Sequence, residues 1–215
     1  MRSALQELSK SGPLLPYTER MNFLAHLHLA TLAQSSLLGN LMANFVRGDP
    51  DGLYPPAVVA GIRMHRRIDS LTDDHDAVRQ IRTLFSPATR RVAPIALDVV
   101  WDHFLARHWS QVESQWPLAG FVLRAQLEIA PALPDTPAGF QSLNRYLWRE
   151  RWLLRYPDMP FLAQVLNGMA QRYLRLSALE AIFSEIQMHY RPLEEAFWHL
   201  YPAMIQLARQ GALGR

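Results

Sequence analysis

The sequence contains no cysteine and a single lysine, Lys10. Without thiols there is no disulfide, no thiolate nucleophile, no iron–sulfur ligation and no cysteine-based zinc site. Any metal must therefore be held by His, Asp, Glu or Asn. The lack of cysteine does not fix the compartment, because a protein without thiols survives in any of them. No apolar run reaches membrane-spanning length, since Arg, His or Asp interrupts each one. The first twenty residues, MRSALQELSKSGPLLPYTER, lack the continuous apolar core of a secretory signal. They read as a poorly ordered extension (1–20), with Met21 as an internal start and 21–215 as one helical domain in the cytoplasm. Strand signals are missing as well: no segment alternates strictly with period two, and no Asn-Gly or Asp-Gly turn sits between β-branched runs.

What is present suits one compact globular domain. The chain has 215 residues, 49% of them apolar and 19% charged, enough to bury a core without staples. The formal net charge is +3, and apart from Lys10 the basic side chains are all Arg. One reading is a bias of the genome. The other is that planar guanidinium forks suit carboxylate or phosphate partners.

The punctuation predicts an all-α fold. Asn22 is placed to cap a helix through about Ala33, and Ser35 or Ser36 another through Val46, ended by Gly48-Asp49-Pro50-Asp51-Gly52. Pro55-Pro56 opens a third, Thr72 is a natural cap for a fourth, and Ser86-Pro87 and Ala93-Pro94 are two further starts. Pro117 and Thr136-Pro137 open later helices, Tyr156-Pro157 and Met159-Pro160 form a break, and a long stretch from about Leu176 to Leu200 precedes a tail helix after Pro202.

His and Asp concentrate in the first half of the chain. His65 and Asp69 are four apart and share a helix face, as do Asp98 and Asp102, with His103 rotated by about 100°. Asn40 and Asn44 repeat the spacing. Any one such pair is most simply a surface hydrogen bond, and Asp73, Asp76 or Asp98 is simply a helix-terminus acid. Several pairs beside apolar residues are a different matter, because desolvated carboxylates need a cation or an Arg. Three helices each presenting ligands on one face is the way bundle-core metal sites are built.

The runs NFLAHLHLA, GNLMANFVRG, GIRMHRRIDSLTDDH and RRVAPIALDVVWDHFL, with NRYLWRERWLLRYPDM and VLNGMAQR later, resemble the acyl carrier protein phosphodiesterase family. The resemblance extends from Met21 to about Tyr201. That family is regarded as a divergent branch of the His-Asp metal-dependent phosphohydrolases. It implies a helical, manganese- or magnesium-dependent enzyme that removes phosphopantetheine from the serine of holo-acyl carrier protein.

Carried over, it implies a metal set drawn from His26, Asn44, His65, Asp69, Asp98, Asp102 and His103, with catalytic roles for Asn44, His65, Asp69 and Asp102. Asp73, His75 and Asp76 are secondary candidates, and His75-Asp76 is the one literal His-Asp pair. His26 and His28 are two apart and face nearly opposite ways, and His26 is the one expected to line the site. Oxygen and imidazole donors suit manganese best, with magnesium or iron as alternatives. Arg47, Arg63, Arg66, Arg67, Arg90 and Arg91 are the expected contacts to substrate phosphate or to the acidic carrier.

One departure stands out. Where the family pattern GNxxxDF has Asp, this chain has Asn44, whose amide oxygen can coordinate but brings no charge and cannot act as a base. It reads either as an inactivated variant or as a natural member with weakened chemistry, and the intact remainder of the cluster favours the first. The alternatives are a generic phosphohydrolase of nucleotides or small phosphoesters, and a non-catalytic carrier-binding protein. Nucleic-acid binding is disfavoured by the small basic excess and the lack of any recognition motif.

Overall fold

The computed structural model describes residues 22–214, so the extension 1–20 and Met21 lie outside the described residues. Twelve α-helices and no strand are found among the described residues. They are α1 (Phe23–Leu32), α2 (Leu37–Met42), α3 (Pro56–Asp74), α4 (Asp76–Ile81), α5 (Ala93–Arg107), α6 (Trp109–Val112), α7 (Leu118–Ile129), α8 (Ala138–Arg149), α9 (Trp152–Arg155), α10 (Met159–Arg172), α11 (Leu179–Met188) and α12 (Tyr190–Arg209). None is long and apolar enough to cross a membrane.

Burial explains the arrangement. Every residue of α1 from Phe23 to Ala30 is buried, and α5 is buried without a break from Ala96 to Ala106. Helices apolar on all faces belong at the centre of a bundle. Accordingly α1 packs on α2, α3, α5 and α12, while α5 packs on α10, α11 and α12 as well. In contrast α3 has one buried face, with Val59, Ile62, Ile68 and Thr72 inward and Arg63, Arg66 and Arg67 outward.

Several helix ends differ from the sequence reading. No breaker interrupts α3, which runs through Thr72, and it is His75 that caps α4, its Nδ1 accepting from the Ala77 amide at 3.2 Å. Residues after Ser86 form a turn and no helix. There the Glu185 carboxylate accepts from the Ser86 amide and hydroxyl and from the Thr89 hydroxyl. The stretch toward the C terminus divides at His189, and α12 continues through Pro202, which lies on its exposed side.

Candidate metal centre

Helix α3 supplies the first two groups. His65 and Asp69 stand one turn apart, with Nε2 of His65 3.4 Å from Oδ2 of Asp69. The third comes from α1: Nε2 of His26 lies 3.1 Å from Oδ1 of Asp69, and the two imidazoles stack with ring centres 3.8 Å apart. The fourth comes from the 3-10 turn Ala43–Phe45 that follows α2, where Oδ1 of Asn44 lies 3.3 Å from Nε2 of His65.

Two local features hold Asn44 there. Helices α2 and α3 cross where Gly39 meets Gly61, so closely that a Cβ on Gly39 would sit 2.3 Å from the Val58 carbonyl oxygen. Beyond the 3-10 turn, the Arg66 guanidinium donates to the carbonyls of Val46 and Gly48, each at 2.8 Å. It thereby ties the segment after Asn44 to the helix that carries His65.

The electrostatics favour an anionic Asp69. Burial alone would raise its pKa, but hydrogen bonds from His26 and His65 and their charges outweigh it and hold the carboxyl well below the usual range. Donor atoms of His26, His65 and Asp69 lie within 4.8 Å of one another, and they form the one group of three or more metal-capable His, Asp or Glu among the described residues. Ligands about 2.1 Å from a shared ion at angles of about 90–110° stand about 3.0–3.4 Å apart. The contacts at 3.1, 3.3 and 3.4 Å fall in that interval. His26, His65 and Asp69 are thus grouped closely enough to hold a metal ion, with Asn44 beside His65.

The remaining sequence candidates lie elsewhere. Asp102 on α5 is fully buried, with its two oxygens accepting from the Leu24 and Ala25 amides at 2.9 and 2.8 Å. Burial pushes its pKa up to about 8 against the pull of those two bonds. His103 has both nitrogens engaged, Nδ1 with the Tyr156 carbonyl and Nε2 with the Tyr190 hydroxyl. Burial lowers its pKa. Asp98 is buried on α5, Asp73 is in the last turn of α3, and exposed Asp76 pairs with Arg79. His28 faces away from the cluster, against Tyr201 at 2.9 Å and Glu113 at 3.4 Å.

The arginines sort by what they face. Arg63 is paired with Asp49 and Asp51. Arg66, as described, and Arg67, which donates to the Ala212 carbonyl, meet backbone oxygens and no carboxylate among the described residues. Arg90 bonds the Phe85 carbonyl, Arg91 that of Arg175, and Arg47 is exposed. Two grooves of about 260 and 320 Å3 meet at Ala60 and Gly214, and neither is lined by His26, His65 or Asp69. The crossing glycines were missed in the sequence. Their signal was a glycine in the interior of a helical pattern, where it costs helix stability unless close packing requires it.

Comparison with known families decides the relationship, because residues 21–204 match the family described as acyl carrier protein phosphodiesterase. The chain belongs to that family. A Serratia proteamaculans relative named acyl carrier protein phosphodiesterase is 59% identical over 193 residues, covering 90% of this chain and 100% of the relative. One from Yersinia pestis with the same name is 59% identical over 189 residues, covering 88% and 98%. One from Escherichia coli, again so named, is 57% identical over 193 residues, covering 90% and 100%. No solved structure matches the chain. Of the family blocks, the two that begin with Gly39 and Gly61 are the pair that the helix crossing brings together.

Proposed function

We propose that the chain hydrolyses the phosphodiester joining 4'-phosphopantetheine to the serine of holo-acyl carrier protein, giving apo carrier and free phosphopantetheine. The observation that carries the reading is the grouping of His26, His65 and Asp69, whose donor atoms lie within 4.8 Å of one another with Asn44 beside His65, in a chain whose relatives bear that enzyme's name. We assign the activity to the cytoplasm and the bound ion to manganese, with magnesium or iron as substitutes, because the donors are oxygen and imidazole without sulfur. A divalent cation held there supplies the Lewis acidity for attack on a phosphoryl centre.

The chain's own residues do the rest. Asp69, kept anionic, is the charged ligand and fixes both imidazoles through its two oxygens. Hydrolysis forms one P–O bond to water and breaks the P–O bond to the carrier serine, whose oxygen leaves with a proton. Asn44 presents an amide oxygen to this space, which can orient a water but cannot take its proton. Arg66 and Arg67, next to His65 in sequence and without carboxylate partners among the described residues, carry positive charge toward the diester or the acidic carrier.

The test is turnover of holo carrier with manganese by this protein and by Asn44→Asp. The aspartate variant is expected to be at least about a hundredfold faster, about 2.7 kcal/mol of barrier. A chelator is expected to stop it while far-ultraviolet circular dichroism stays unchanged, since the core stands without metal. Equal rates for the two forms would remove position 44 from the active site. A small phosphodiester hydrolysed as well as holo carrier would favour a generic phosphohydrolase instead.

A further inference from the structure

The N terminus of α1 is finished by a residue from a distant helix. A helix leaves its first four amides without intrahelical partners, and a side chain at the cap position ordinarily satisfies one or two of them. Asn22 occupies that position and makes no side-chain cap bond. Instead the side chain of Asp102, on α5, accepts from two successive amides, Leu24 through Oδ2 and Ala25 through Oδ1. The next residue is His26, whose own amide bonds the Asn22 carbonyl at 3.2 Å and whose ring reaches Asp69.

Two bonds from one planar group to consecutive amides fix both the height and the rotation of a helix end. A single bond would fix only its height. Residues of α1 around His26 are buried on every side, so α1 can turn only by disturbing core packing. The imidazole of His26 stands one residue beyond the second bonded amide, so any rotation of the helix end carries Nε2 away from Asp69. His26 stacks on His65 at 3.8 Å and lies 3.1 Å from Asp69, and both contacts would open together.

We propose that Asp102 is a positioning residue, whose two side-chain oxygens complete the N terminus of α1 and so set the place of His26 in the metal centre. The proposal rests on the reading of that centre as a divalent-cation site, and it differs from the role of direct ligand that the family resemblance implies for Asp102. Asparagine at 102 retains one oxygen and turns an NH2 donor toward the other backbone amide, so one bond becomes a donor–donor contact at nearly unchanged volume.

The experiment is a double-mutant cycle read by Mn2+ titration of the full chain, with circular dichroism to count the folded fraction. The variants are Asp102→Asn, His26→Ala and the pair. Loss of a residue that orients a ligand lowers metal affinity about 10–100-fold, and Asp102→Asn is expected to do so with His26 present. With His26→Ala already made, adding Asp102→Asn is expected to change the affinity less than about twofold, because the two act through one group. Independent losses that multiply would make Asp102 a ligand in its own right and overturn the proposal. An unchanged Mn2+ affinity with a lowered melting temperature would make it merely structural and overturn it equally.

A second measurement needs no variant. In the unmutated protein the Leu24 and Ala25 amides are expected to stay protected from hydrogen exchange when Mg2+ is added. Loss of their protection would show Asp102 leaving α1 for the ion. If no Mn2+ or Mg2+ binds the unmutated protein or Asn44→Asp at all, the metal reading itself falls, an outcome distinct from an altered cycle.

Discussion

Alanine at Gly39 tests whether the crossing of α2 and α3 sets the geometry of the metal centre. Neither Gly39 nor Gly61 has a positive φ, so alanine in an open helix would be favoured at either by about 0.5–1 kcal/mol. Here a Cβ on Gly39 meets the Val58 oxygen at 2.3 Å, where ordinary contact begins at 3.4 Å. The obstacle is backbone and cannot swing aside, so α2 must retreat by about 1.1 Å. Overpacking costs about 1–3 kcal/mol, which leaves a net loss of up to about 2.5 kcal/mol and a melting temperature lower by up to about 10 °C.

The larger effect falls on the site. Asn44 follows α2 and would move with it, taking its 3.3 Å contact with His65 beyond hydrogen-bond range. A misplacement of about 1 Å costs about a hundredfold in rate. Gly61→Ala, whose Cβ would meet the Ser36 oxygen at 2.9 Å, needs a shift of about half that size and ranks between. Gly120→Ala in α7 is the control. Its nearest neighbour is at 3.5 Å, so it is expected to stabilise by about 0.5–1 kcal/mol. Thermal denaturation and holo-carrier turnover in the Asn44→Asp background read the series. An unaltered melting temperature and rate in Gly39→Ala, or equal losses in Gly39→Ala and Gly120→Ala, would refute the reasoning.

Arg67→Glu is expected to slow association with holo carrier about threefold to tenfold and to reduce its salt dependence, because the exposed Arg67 meets a backbone carbonyl and no carboxylate among the described residues. Arg63→Glu is expected to change it less, since Asp49 and Asp51 already neutralise that group; stopped-flow binding at two salt concentrations separates them. Glu185→Gln is expected to cost about 1 kcal/mol at pH 7, as loss of a cap does. Burial raises the Glu185 pKa, but bonds from Ser86 and Thr89 outweigh it and leave the folded value depressed. Its stabilisation is therefore present above the unfolded value of about 4.3 and lost as pH falls through the lower folded one, so parent and variant are expected to converge in urea midpoint below about pH 4.

The helical class was legible because proline and cap residues mark breaks locally: Pro56, Ala93-Pro94, Pro117 and Pro137 each stand where a helix begins. Thr72 and Pro202 misled for the same reason, since a good cap or a proline does not end a helix whose neighbouring face is already buried. In the centre, the pair of His65 and Asp69 is visible as helical spacing, and His26 could be separated from His28 by direction alone. The partners that decide the rest are distant in sequence. Asp102 meets α1 across 78 residues and His28 meets Tyr201 across 173, and no spacing rule spans such separations. Hence one turn of α5 could look like a ligand pair while Asp102 and His103 bond to α1, Tyr156 and Tyr190.

The cap that α5 supplies to α1 also bears on synthesis. Helix α1 has ten residues, fewer than the roughly 12–15 that hold an isolated helix in water. It precedes Asp102 by 78 residues, an interval of about 4–16 s at ordinary rates of elongation. Throughout that interval a segment destined to be buried on every side has α2 and α3 to pack on but lacks α5, α12 and its terminal hydrogen bonds. The helix that carries His26 is thus made before the other described helices but is closed only after α5, and the nascent chain presents this apolar stretch to chaperones and aggregation partners while it waits.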